Sequence, residues 1–171
     1  MGIERYLKYI DKTNLWAGRI ASYAILYIML TLCYEVVMRY IFNAPTIWVY
    51  ELNAYVFCFY VAFAGGYVAL FNAHINVEII YDKFKPKNKR LINVLTSVCF
   101  FTVMLTLIWK SGYAAWESWE AKEESFSLLA SPIYPSKIVI PIGAFLFFLQ
   151  GTAKFIRDVI ALIQGEPATK A

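Results

Sequence analysis

The apolar residues of this chain fall into four long blocks, at positions 16–38, 47–71, 91–112 and 137–157. Each block approaches or exceeds the roughly 20 residues that a helix needs to cross the hydrocarbon core of a bilayer. Lipid offers no water to satisfy a backbone N–H or C=O, so such blocks are compelled to be helical. Composition points the same way. Of the 171 residues, 60% are hydrophobic and only 16% charged, more apolar surface than a soluble domain of this size can bury. The expected fold is all-α: a single membrane domain over 1–171 with four transmembrane helices and no soluble catalytic module.

Two further segments carry helical periodicity. Ile3, Tyr6, Leu7, Ile10 and Leu15 recur at near-helical spacing among Glu4, Arg5, Lys8, Asp11 and Lys12, which predicts an amphipathic helix over 3–15 lying on the membrane surface. Ile75, Ile79, Ile80 and Phe84 share a face opposed by Asn76, Asp82 and Lys83, which predicts a second surface helix over 75–85, ended by Pro86. The first apolar block is too long for a removable signal peptide and lacks a small-residue cleavage site. Asn43 to Thr46 reads as a turn, with Thr46 placed to cap the second span, and Ser136 is placed to cap the fourth. Pro141 lacks an amide donor and invites a bend in that span. A loop is expected over 117–135 and a tail over 164–171.

Lysine and arginine divide unequally between the two sides of this arrangement, 12 against 4. By the positive-inside rule the chain ends and the Pro86 loop are cytoplasmic, and the Asn43 turn and the 117–135 loop are periplasmic. A charge pattern of this kind sets membrane orientation and gives no nucleic-acid surface.

The span centres, near Tyr27, Tyr60, Phe101 and Phe145, carry no acid, base or histidine. A carrier must replace the water stripped from its cargo, so this chain is not expected to move an ion or anion alone. Gln150, Thr102 and Thr106 are read as interhelical contacts. Glu35 and Arg39, one helical turn apart, and Glu51 in the second span are expected to form one ionic cluster. Two readings of it stay open, a clasp between the first two spans or a contact to a partner subunit. Ala62 with Gly66 and Gly65 with Ala69 form small-residue pairs that admit close helix approach, from this chain or another.

Cys33, Cys58 and Cys99 lie inside apolar blocks without metal-ligand spacing and read as packing residues. The single histidine, His74, excludes bis-histidine haem ligation and is placed to cap carbonyls or anchor the second surface helix. No nucleophile set, phosphate loop or metal constellation appears in the sequence, so neither an enzyme nor a cofactor is expected.

The run Arg39, Tyr40, Ile41, Phe42, Asn43, then Trp48, Glu51 and Leu52, then Gly65, then His74, Ile75, Asn76, Val77 and Glu78 resembles the DctQ-like small membrane subunit of tripartite ATP-independent periplasmic (TRAP) transporters. Pro132, Tyr134, Pro135, Lys137, Ile140 to Gly143 and Leu149 to Gly151 look like a branch of that family with a longer last loop. The chain departs from the family pattern at Tyr50, where a second acid often stands, and at Phe71 and Asn72, where a basic residue commonly precedes the histidine. The resemblance implies a non-catalytic subunit in the bacterial inner membrane. It would be a stator for a large, sodium-coupled elevator subunit that imports an organic acid delivered by a periplasmic binding protein. Glu35, Arg39, Trp48, Glu51, Gly65, His74 and Glu78 are the motif or partner-contact candidates. Two rival classes remain on the residues alone: a small self-assembling four-helix carrier coupled through Glu35, and a structural assembly protein of the membrane.

Overall fold

A computed structural model describes residues 2–71, 86–127 and 129–164. The surface helix expected over 75–85 and residues 165–171 of the expected tail lie outside them. The described residues form four long helices, α1 (Gly2–Tyr40), α2 (Trp48–Leu70), α3 (Pro86–Glu120) and α4 (Tyr134–Gln164). Each contains a stretch apolar and long enough to cross a membrane.

The surface helix expected over 3–15 and the span expected over 16–38 are one continuous helix. No proline interrupts α1, and a single inward stripe runs along it: Leu7, Ile10, Asn14, Ala17, Ala21 and Ala24 are buried, and Ile28, Thr31, Glu35 and Met38 are partly buried. The steps alternate between three and four residues, the heptad spacing with which one helix lies along another. Within residues 3–15 the buried apolar side chains, Leu7 and Ile10, face protein. Leu7 and Ile10 pack with Leu149, Ala153 and Ile156 of α4.

α3 and α4 likewise outrun the expected spans of 91–112 and 137–157, and α4 continues through Pro141 without interruption. Pro86 occupies the first helical position of α3, where a missing N–H costs nothing. The loop joining α3 and α4 shrinks to 121–133. Neither expected cap forms. Residue Ile47 stands at the N-cap of α2 without a side-chain cap bond, and the Ser136 hydroxyl donates back to the Ile133 carbonyl (2.7 Å) inside the first turn of α4.

The helices stand side by side in the order α1, α2, α4, α3, with α1 also touching α4. α2 and α4 run parallel and in close contact: a Cβ on Gly143 would lie 2.4 Å from the Ala62 carbonyl oxygen. On the α1 side of α2, one on Gly66 would lie 2.1 Å from Asn14 Oδ1. α3 is joined mainly to α4, through edge-on ring contacts of Phe100 with Phe147 and of Phe101 with Phe148 and Phe155. Both described connections, 41–47 and 121–133, lie at one end of the row, the loop end; the first residues of α1 and the last of α4 lie at the other.

Candidate functional site

Polar side chains gather at the loop end. Glu35 is on the inward stripe of α1, with its side chain only 12% exposed, and both carboxylate oxygens are occupied. Arg39, one turn later, donates from Nη2 (2.5 Å) and Nε (3.1 Å) to Oε1. Thr46 donates its backbone N–H (3.0 Å) and its hydroxyl to Oε2. Thr46 is thus spent on α1 and does not cap α2. The chain reaches Thr46 through Asn43, whose left-handed backbone (φ 53°) is one that asparagine tolerates. Trp48 closes the same corner, its ring 6.1 Å from that of Tyr34.

The sequence reading joined Glu51 to this cluster; the structure does not. Glu51 is 7% exposed and takes its bond from the Ser131 hydroxyl of the α3–α4 loop, while its Oε1 has no hydrogen-bond partner among the described residues. Helical geometry explains the difference. Glu51 lies on the α4 side of α2, whereas Asn53, two residues on, faces α1 and accepts from Thr31 (2.8 Å). Two neighbouring contacts tie the loop end to α2: Tyr55 donates to the Pro132 carbonyl (3.0 Å) and Cys58 to that of Ser136 (3.5 Å). An open cleft of about 240 Å³ remains between α2, α4 and the loop, with Glu51, Ala54, Ser136, Lys137 and Ile140 among its walls.

The loop is anchored by Glu123, which receives Lys137 from α4 and the Ser118 hydroxyl from α3 (2.6 Å). These two bonds, Lys137 first, hold its carboxyl below the usual glutamate range. Backbone bonds complete the anchor, from Ile133 N–H to Glu123 (2.9 Å) and from Ser125 N–H to Ser131 (2.8 Å).

A second polar network lies at the opposite end, between α1 and α4. Asn14 donates to Gln150 (3.0 Å), Gln150 donates to Asp11 (3.0 Å), and Arg157 pairs with Asp11 (2.5 Å). Asn14 and Gln150 are 1% and 2% exposed, so this is a buried registration contact. Gln150 makes the interhelical contact read from sequence. Thr102 and Thr106 do not, since each donates to a carbonyl of its own helix four residues back. Asn14, Asn53, Ser131 and Thr46 were missed as site residues. For Asn14 the signal was present, because it falls on the heptad stripe of α1.

Of the remaining motif candidates, Gly65 is in ordinary contact distance of Phe147, 3.8 Å from where a Cβ would stand, and the close approach belongs to Gly66. His74 and Glu78 lie outside the described residues.

Comparison with known families decides the class. The profile described as "Tripartite ATP-independent periplasmic transporters, DctQ component" matches residues 28–161. The chain belongs to the DctQ family. It is a transmembrane protein of a TRAP transporter's small-component family, which is not catalytic. The DctQ match covers the last third of α1 and all of α2, α3 and the loop end, together with α4 up to its last turn. Among curated proteins, none matches the chain.

Proposed function

We propose that this DctQ-family chain is the fixed scaffold of a sodium-coupled importer in the bacterial inner membrane. Its partners would be a large, elevator-type membrane subunit and a periplasmic binding protein that delivers an organic acid. The observation that carries the reading is where the charges stand. Stretches 20–34, 52–73, 91–109 and 138–153 contain no Asp, Glu, Lys, Arg or His, so the middle of every span offers cargo no ionic ligand. Ionic and buried polar groups sit toward the two ends, where they tie elements of this chain to one another.

The rigidity of that construction supports a stator. Glu35 secures the α1–α2 corner, Glu123 secures the α3–α4 loop, and Gln150 with Asp11 registers α1 against α4. We take Glu35 with Arg39 as a clasp within the chain. A coupling acid must exchange its proton with cargo or water, and a carboxylate holding Arg39 and both donors of Thr46 is poorly disposed to do so. This counts against the self-assembling carrier. The orientation proposed from the basic residues puts the loop end in the periplasm, facing the binding protein.

Purification of the tagged chain with its neighbouring gene products in mild detergent tests the proposal. A larger membrane protein retained in fixed ratio is the expected result. A homogeneous homo-oligomer that transports in vesicles, and stops when Glu35 is replaced by Gln, would establish the carrier instead.

A further inference from the structure

From the loop-end cleft we infer that this chain holds a phospholipid with a primary ammonium headgroup, of the ethanolamine type, between α2 and α4. The inference depends on the chain's membrane location, not on its role in transport. Glu51 forms the α2 wall. It is 7% exposed, one oxygen is held by Ser131, and Oε1 is buried with no donor among the described residues. A buried carboxylate oxygen left without a donor is costly, and the group that suits it is a cation carrying N–H bonds. Lys137 forms the facing α4 wall. Its ammonium has three donors, and Glu123 uses one of them. One wall therefore presents an anion and the other a cation, the complement of a zwitterion that carries its ammonium and its phosphate a few bonds apart.

The axis of the cleft identifies the occupant as lipid. Glu51 and Lys137 stand in the first turns of α2 and α4, at the boundary where chain enters membrane. Ala54, Cys58 and Ile140, one to two turns deeper, continue the cleft as an apolar track. Polar above and apolar below is a phospholipid's own profile. A basic side chain arriving from water would need the upper part alone.

The test is lipid retention by the purified full-length protein, exchanged into phosphatidylethanolamine, phosphatidylcholine or phosphatidylglycerol and read by native mass spectrometry. The choline headgroup has no N–H to offer Glu51, and glycerol has no cation. Phosphatidylethanolamine should be retained about tenfold more strongly than either, the size of one charge-assisted hydrogen bond. Glu51→Gln should remove that preference. Lys137→Met should weaken all three lipids alike, and Glu35→Gln, outside the cleft, should leave the preference intact. Equal retention of the three lipids by the wild-type protein would overturn the inference, as would a folded Glu51→Gln protein that keeps the preference. Should Glu51→Gln fail to fold, the wild-type comparison decides alone.

Discussion

Ser131 is one hydroxyl in a loop, yet it is the sole hydrogen-bond donor to a buried carboxylate among the described residues. Replacing it by alanine leaves both oxygens of Glu51 unsatisfied in a low-dielectric setting, at a cost of about 1–3 kcal/mol. Ser136→Ala is the matched control. Its hydroxyl only returns to the Ile133 carbonyl of its own turn, and the change should stay within about 0.5 kcal/mol. Unfolding midpoints of the two variants in one detergent make the comparison. The Glu123 anchor responds to pH instead. Its carboxyl lies below the usual range when folded, so the stabilisation is fully present above the unfolded value of about 4.3 and is lost as pH falls through the folded value. Protection factors across 121–133, in which the intrinsic pH dependence of amide exchange is divided out, should therefore be flat from neutral pH down to that region and fall below it. In Glu123→Gln the fall should be absent and protection low throughout.

The α2–α4 contact shows what spacing alone can and cannot settle at the scale of elements. Both small-residue pairs of α2 were legible in the sequence, but only the structure separates them. Gly143→Ala would set a methyl carbon 2.4 Å from the backbone oxygen of Ala62, and backbone cannot swing aside as a side chain can. Parting the two helices should cost about 1–3 kcal/mol, whereas Gly65→Ala, with 3.8 Å to Phe147, should be nearly silent in a thermal or denaturant titration. The four spans were readable because lipid forces backbone pairing into helices, and that constraint acts on composition, which the sequence displays. The continuity of α1 was not read. The stripe from Leu7 to Met38 includes Asn14, Thr31 and Glu35, and a search for apolar recurrence breaks at each polar member. The partnering of Glu51 with Ser131 was out of reach for another reason: the two are 80 positions apart, and only the parallel register of α2 and α4 brings them together.

Across the whole molecule, helix length is the informative quantity. At about 1.5 Å per residue α2 is about 35 Å long, close to the roughly 30 Å of hydrocarbon it must cross. α1, with 39 residues, is about 58 Å long and cannot be contained by the same layer without steep tilt. Its loop end is tied to the start of α2 by Glu35 and Thr46, so the excess is expected at the other end, beyond the contacts of Leu7, Ile10 and Asp11 with the second half of α4. The first turns of α1 are therefore expected to project from one membrane face as a spur. The proposed orientation puts that spur in the cytoplasm and the loop end in the periplasm, and cysteine labelling in intact cells distinguishes this from the inverse. With Cys33, Cys58 and Cys99 changed to serine, single cysteines at Ala44 and Phe126, both exposed at the loop end, should react with a membrane-impermeant maleimide added outside the inner membrane. A cysteine at Lys8, exposed on the spur, should react only once that membrane is opened. The opposite pattern would invert the molecule and turn the loop end away from any periplasmic binding protein. The lipid cleft between Glu51 and Lys137 would survive such an inversion, because it requires only a membrane boundary, whereas the scaffold proposed for a periplasmic partner would not.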